Sequence, residues 1–320
     1  MVSQQQIQDA AQIIRKGGLV AFPTETVYGL GANALNPDAV AKIFIEKERP
    51  SFDPLIVHIA SVDNLSLLVE PLDKRVFNLA DKFWPGPLTI VLPKSKIVPD
   101  IVTAGLNTVG IRMPNNSVAL DLIRYSKCPI AAPSANKFGK LSPTTAEHVK
   151  KQMPLISCIL DGGQTSIGIE STVISINAKG FDILRHGIIT KEEIEKVLPY
   201  SKQTSVESNL FPSPGLLKSH YTPNKPLYFL NEISSKINTN NAGILSFSGV
   251  RTSEFKIVES LTHSLNLREA AVNLFAAMHK LEEADIEFIV VEPVSESGIG
   301  IAIMDRLKKA SFKTINNHEN

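Results

Sequence analysis

A short apolar run that ends abruptly in hydroxyls and a carboxylate sets the terms for this chain. Leu19–Phe22 is bounded by Gly17-Gly18 and Pro23, which predicts a short buried strand. Thr24, Glu25, Thr26 and Tyr28 then put four hydrogen-bonding side chains into five positions, with Gly29 and Gly31 following. A simple connecting turn does not need so many polar groups at the end of a buried strand. A ligand pocket does, because ligands are gripped by a few convergent polar groups at strand ends. The fold therefore has to wrap around a cavity at this point.

The next element is a well-signalled helix. Asn36 can cap it, Pro37 sits where a missing N–H does no harm, and Asp38 suits the positive end of the dipole. Val40, Ile43 and Phe44 supply an apolar face, and Pro50 stops it. Its end carries Lys47, Glu48 and Arg49. Basic residues at a helix C-terminus are favourable on electrostatic grounds alone; the functional alternative is that Lys47 and Arg49 project over the polar strand end and bind an anion. Pro54–Ala60 reads as a strand with His58 inside it.

Further strands are predicted at Leu88–Leu92, Val109–Met113, Pro129–Pro133, Ile156–Leu160, within 168–176, and at Ile183–Arg185. Arg112, flanked by Ile111 and Met113, needs a partner or a ligand. The strand at 129–133 runs into Ser134-Ala135-Asn136 and repeats the opening pattern: small apolar residues, a proline, then hydroxyl and amide. SPTTAEHV, 142–149, reads as a helix start with Ser142 or Thr144 as cap. Within 168–176, Glu170, Ser171 and Thr172 come just before an apolar strand, and Arg185 ends the one after it. Strands and helices mix through 1–200 without strict alternation. The expected α/β fold is a mixed, largely antiparallel sheet curved around a cavity, with helices outside.

The pattern then breaks. Residues 200–225 are polar and carry Pro212, Pro214 and Pro223 without a hydrophobic period, which predicts an interdomain linker at 201–225. Within it Lys218, His220 and Tyr221 are either part of a tether or part of a lid. From Pro226 strands and amphipathic helices alternate, as expected for a small Rossmann-like parallel sheet in residues 226–320. The GIGIA segment at 298–302 is not a dinucleotide fingerprint, since its third glycine is absent. A net charge of +1 gives no global attraction for nucleic acid or membrane surfaces. Two cysteines, Cys128 and Cys158, are too few for a zinc site or a disulfide framework. No apolar run approaches a membrane span, and the N-terminus lacks a secretion signal pattern. The expected location is the cytoplasm.

Taken together, PTETVYGLGANA, KER followed by proline, SAN, DGG, ESTV and SPGLLKSHYTP resemble the Sua5/YrdC family of threonylcarbamoyl-AMP synthases, in its long two-domain form. The resemblance covers nearly the whole chain and implies a YrdC-like catalytic domain at 1–200. It implies a nucleotidyltransferase that makes threonylcarbamoyl-adenylate and pyrophosphate from L-threonine, bicarbonate or CO2, and ATP with Mg2+. A downstream tRNA threonylcarbamoyl transferase would consume the product, so tRNA is an indirect partner. By the same resemblance Lys47 and Arg49 are the catalytic pair. With Ser134, Asn136 and Arg185 they bind ATP. Thr24, Thr26, Tyr28, His58 and Arg112, with Ser171 or Thr172, hold threonine. His220 and Tyr221 fold over the cavity as a lid. Two positions depart from the family pattern: His186, where proline is frequent after the arginine, and Phe138, where serine is frequent before the glycine.

The chemistry suits these residue types. Nucleophile and electrophile are both anionic, so the site must supply positive charge and fix an in-line approach. Positioning and charge stabilisation are the expected roles, with no nucleophilic side chain required. The competing reading is an RNA- or nucleotide-binding module without adenylate synthesis, which the near-zero net charge disfavours. A related carbamoyl-adenylate chemistry, as in hydrogenase maturation proteins, would bring zinc-finger cysteines that this chain lacks.

Overall fold

The computed structural model describes residues 2–50, 52–202, 220–233 and 238–316, with side chains described as far as Ser311. Of the expected linker, residues 203–219, including Lys218, lie outside the described residues. The first sheet is built from β1 (Val20–Phe22), β2 (Gly29–Asn33), β3 (Ile56–His58), β4 (Leu88–Pro93), β5 (Thr108–Arg112), β6 (Ile130–Ala131), β7 (Thr172–Asn177) and β8 (Gly180–Arg185). Its spatial order is β1-β2-β6-β3-β5-β4-β7-β8. The β3–β5 and β4–β7 pairs are parallel and the other five junctions antiparallel. The expected mixed, largely antiparallel sheet is what forms.

Among the described residues eight helices accompany this sheet: α1 (Gln4–Arg15), α2 (Pro37–Lys47), α3 (Leu65–Leu68), α4 (Arg75–Phe83), α5 (Asp100–Thr103), α6 (Ser117–Ser126), α7 (Ala146–Gln152) and α8 (Lys191–Glu195). The signals at α2 act as expected: the Asn36 side chain accepts from the Asp38 and Ala39 amides, and the helix ends at Glu48 in the left-handed conformation. One strand arises in a segment with no assigned element, and two local expectations are corrected. The Gly-rich segment Gly29–Asn33 is a strand, because Phe22 and Ile130 fill the space where side chains would stand. A Cβ on Gly31 would lie 2.7 Å from each of them. Ile156–Leu160 is not a ladder strand and makes only an isolated bridge, Ala21 to Ile159. The cap of α7 is Thr145, which leaves Ser142 to donate its hydroxyl to Glu170 instead.

The second sheet is all parallel: β9 (Leu227–Phe229), β10 (Ala242–Ser246), β11 (Ile257–Ser260) and β12 (Phe288–Val291), ordered β11-β10-β12-β9. Helix α9 (Leu267–Glu283) buries Ala271, Leu274, Phe275, Met278 and Leu281, the face its periodicity predicts. Helix α10 (Ile299–Asn316) packs beside β9.

The second sheet's helices are fastened to one wall of the first domain. His279 of α9 is stacked on His148 of α7, with ring centroids 3.8 Å apart, and its Nε2 lies 3.1 Å from the Ser142 carbonyl. Gly168 lies against the α9 backbone, where a Cβ would stand 2.1 Å from the Val272 carbonyl oxygen. The Thr222 amide donates to the Gly139 carbonyl at 2.7 Å. Trp84 is a core anchor, its indole N–H donating to the Leu88 carbonyl at 2.7 Å. Cys128 and Cys158 are free thiols. Among the described residues no helix is long and apolar enough to cross a membrane.

Candidate active site

The polar strand end predicted after Phe22 opens into a cavity at the carboxyl ends of β1, β3 and β5. Among the described residues Arg49, Arg112, Arg185 and a single acidic residue, Glu170, supply its charged lining. Three guanidiniums against one carboxylate make it a site for an anion.

The Thr24–Tyr28 segment is a turn organised by one hydroxyl. Thr24 Oγ1 donates to the Val27 carbonyl at 2.7 Å and accepts from the Thr26 and Val27 amides. Thr26 Oγ1 lies 2.8 Å from Thr24 Oγ1, within hydrogen-bond distance. Arg112 in turn donates to Thr26 Oγ1 at 2.9 Å. The Arg112 guanidinium also contacts Glu25 Oε1 at 2.7 Å and donates to the Gly86 carbonyl. The arginine that needed a partner or a ligand has a buried partner and still faces the cavity. In the sequence Glu25 is only one member of the polar cluster. Its pairing with Arg112 crosses from the loop after β1 to β5, a separation that no local pattern reveals.

Tyr28 does not line the cavity. Its hydroxyl donates to the Gly163 carbonyl at 2.7 Å and accepts from the Gly162 amide at 3.1 Å. Burial, with Asp161 nearby, pushes the phenol up to about 12, so it stays protonated. Tyr28 thus anchors the Asp161–Gly163 loop. His58 does line the cavity; burial and the neighbouring Arg112 hold its imidazole down to about 3, so it is neutral.

The two short motifs expected to bind nucleotide form one unit. Lys47 is fully buried, donating its ammonium to the Ser134 carbonyl at 2.6 Å and to the Asn136 carbonyl. Burial, reinforced by Arg49, lowers this ammonium well below the usual lysine range. Asn136 is turned inward as well, donating to the Lys137 and Lys140 carbonyls. Of these motifs, Ser134 and Arg49 line the cavity while Lys47 and Asn136 stand behind it. Arg49 is aimed by Asp53 at 2.9 Å and by the Pro54 carbonyl at 3.0 Å, and its guanidinium lies 5.9 Å from the Phe138 ring centroid.

On the opposite wall Ser171, not Thr172, faces the cavity. The Thr172 hydroxyl donates to the Ile189 carbonyl at 2.7 Å. Arg185 donates to the Ser171 carbonyl at 3.1 Å and to its hydroxyl at 3.0 Å. His220 and Tyr221 close the cavity from the returning end of the linker. The His220 ring meets Phe138 edge-on at 6.1 Å and Tyr221 at 4.0 Å. Phe138, a departure from the family pattern, therefore touches both the nucleotide motif and the covering segment. Burial holds His220 down to about 3, so it too is neutral.

One residue at this wall escaped the sequence reading. Arg306 of α10 is fully buried, and its Nε lies 3.2 Å from Glu170 Oε2. It sits in MDRLKKA, where it reads as one more charge on an amphipathic helix; only the packing of the two domains shows otherwise. No group of three His, Cys, Asp or Glu side chains forms a metal cluster among the described residues. The carboxylates nearest the cavity are committed to Arg112, Arg49 and Arg306.

Comparison with known proteins agrees with this geometry. The family model for Sua5/YciO/YrdC domains, described as "Telomere recombination", matches residues 12–187. The model described as "Threonylcarbamoyl-AMP synthase, C-terminal domain" matches residues 189–311. The threonylcarbamoyl-AMP synthase of Bacillus subtilis is 44% identical, over 96% of this chain and 93% of its own length. That of Pyrococcus abyssi is 42% identical, over 97% and 95%. The crystal structure of P. abyssi Sua5 complexed with L-threonine superposes with a TM-score of 0.87 at 41% identity, covering 98% of this chain and 96% of that one.

Proposed function

The chain belongs to the Sua5/YrdC family of threonylcarbamoyl-AMP synthases, and from that membership we propose that it joins L-threonine, bicarbonate or CO2, and ATP into threonylcarbamoyl-AMP, releasing pyrophosphate. The observation that carries the reading is the cavity itself. Thr24, Thr26, Arg112, Arg49, Ser134, Ser171 and Arg185 converge on one space in a chain matched along its length by synthases.

The threonine amine adds to CO2 and loses a proton to give a carbamate. A carbamate oxygen then attacks the α-phosphorus of ATP. The new P–O bond forms as the bond to the bridging oxygen breaks, and that electron pair leaves with pyrophosphate. Both reactants are anions, so what the protein must supply is neutralisation and alignment. Arg112, aimed by Glu25 and Thr26, is the assigned partner of the threonine carboxylate. Arg49 and Arg185, on the other walls, are the assigned partners of the phosphates. Lys47 and Asn136 act one step back, by fixing the loop that carries Ser134. Mg2+ is assigned to the substrate and enters with the ATP phosphates, which bind this ion more readily than an all-protein cage does. The neutral imidazoles of His58 and His220 and the Tyr221 ring add no charge and keep water from an unstable carbamate. In this reading the product passes to a tRNA threonylcarbamoyl transferase in the cytoplasm.

The test is pyrophosphate release with ATP, Mg2+, bicarbonate and L-threonine, omitting each in turn. Release that needs threonine and bicarbonate together supports the synthase. Release without threonine points to another acceptor or an ATPase. No release at all returns the choice to a nucleotide- or RNA-binding module.

A further inference from the structure

We propose that Arg306, on the C-terminal domain, is a positioning residue for the cavity of the N-terminal domain, acting through Glu170. The kinetic part of this inference rests on the synthase reading; its affinity part needs only that the cavity binds ATP.

Among the described residues Glu170 is the one carboxylate lining this arginine-rich cavity. Left alone it would oppose every substrate. It is held instead from two directions: Ser142 donates to Oε1, and Arg306 reaches across from α10 to Oε2 at 3.2 Å. Arg306 is itself fixed. Its guanidinium donates to the His186 carbonyl and to the Ala302 carbonyl of its own helix, and lies 5.8 Å from the Tyr221 ring centroid. Glu170 is also faced by Arg185 from β8 and by His220 and Tyr221 from the covering segment. Burial alone would raise this carboxyl, but Arg306 and then Arg185 bring it below the usual glutamate range. Arg306 therefore keeps Glu170 ionised and neutralised. Arg185 is then left to hold Ser171 and face the substrate. Remove Arg306, and Glu170 must either take a proton or draw Arg185 away from Ser171.

At the place where such sheets hold ligands, the C-terminal sheet carries a carboxylate of its own among the described residues. That place is the crevice at the carboxyl ends of β10 and β12. Glu292 fills it, accepting from the Phe247 and Ser248 amides at 2.8 Å each and from the Ser246 hydroxyl at 3.0 Å. An acidic side chain of the protein already occupies the anion nest.

The experiment compares Arg306→Gln, Arg306→Lys, Glu170→Gln and the double variant Arg306→Gln/Glu170→Gln in the full chain. ATP affinity is read by calorimetry, and KM for ATP and threonine by pyrophosphate release. Arg306→Gln should weaken ATP binding and raise its KM about tenfold or more, the scale of leaving a buried charge uncompensated. That KM should fall as pH is lowered and Glu170 takes a proton. Arg306→Lys should recover part of the loss, and the double variant, which removes the carboxylate that Arg306 leaves behind, most of it. An unchanged ATP affinity in Arg306→Gln overturns the proposal. So does a double variant no better than the single, since Arg306 would then act only by holding the fold. If Arg306→Gln does not fold, the double variant decides: near-native ATP binding supports the coupling, and a folded protein that has lost ATP binding refutes it. A wild-type chain that binds ATP but makes no threonine-dependent pyrophosphate would sink the synthase reading and leave the affinity comparison as the test of Arg306. A wild type that binds no ATP overturns both.

Discussion

The Lys47 ammonium sits 2.6 Å from the Ser134 carbonyl oxygen, and the Phe138 amide returns the contact by donating to the Lys47 carbonyl at 2.9 Å. The end of α2 and the loop after β6 are thus one clamped body. The lysine of the KER segment is buried beneath the loop whose serine faces the cavity.

Lys47→Met should therefore act through that loop. It removes a charged donor from two carbonyls and leaves them buried, at a cost of about 2 kcal/mol. The KM for ATP should rise with it, and amides 134–140 should exchange faster in hydrogen-exchange measurements. Unchanged exchange in that segment, with activity lost, would place Lys47 on the substrate instead.

Arg112 bonds Thr26 at 2.9 Å and pairs with Glu25 at 2.7 Å on the side of the cavity assigned to threonine. Arg112→Ala should raise the KM for threonine ten- to hundredfold, the worth of one or two hydrogen bonds to a charged group. The KM for ATP should move much less. Equal changes in both would mean that the substitution loosens the whole cavity.

How much of this was legible before the fold was known depended on the range of the interaction. Asn36, Pro37 and the apolar face of α2 announce the helix because every signal lies within one turn. Thr24–Tyr28 announces a pocket because burial and polarity conflict within five residues. The finer division did not follow. Thr172 and Tyr28 look like ligand residues by position, yet their hydroxyls are spent on Ile189 and Gly163. Gly29–Asn33 hides a strand because its side-chain space belongs to Phe22 and Ile130. Arg306 could not be read at all, since its partner lies 136 residues away. Spacing reports what a segment can do, and packing decides which of its groups are already taken.

Acid should loosen the joint between the domains. His148 and His279 are stacked there, and burial lowers each from the usual histidine value to about 4. Their unfolded forms take protons near pH 6.5, well above the folded ones. Between about pH 6.5 and 4 the unfolded chain binds more protons, so stability rises with pH in this window and is lost as pH falls through it. His58 and His220, lowered to about 3, act in the same direction. The melting temperature should fall from pH 7 to pH 5, and His279→Gln should make that fall smaller. A variant with the same slope as wild type would remove the stacked pair from the account.

The same joint can be tested by adding one carbon. Gly168 has φ +77° and lies so close to α9 that a Cβ would be 2.1 Å from the Val272 carbonyl oxygen. The oxygen belongs to backbone and the Cβ is fixed rigidly to it, so neither can rotate away, and the two domains must part. Gly105 has nearly the same φ, +78°, with nothing within 4 Å of the added carbon. Gly105→Ala should therefore cost only the left-handed strain, about 1–2 kcal/mol. Gly168→Ala should cost that plus an overpacking penalty of about 1–3 kcal/mol. The difference between the two in thermal or urea unfolding isolates the close approach of the domains. Because Gly168 lies two residues before Glu170 and three before Ser171, its alanine variant should also lose activity at temperatures where it remains folded. If Gly168→Ala is no less stable than Gly105→Ala and fully active, the wall of the cavity does not depend on where α9 is held.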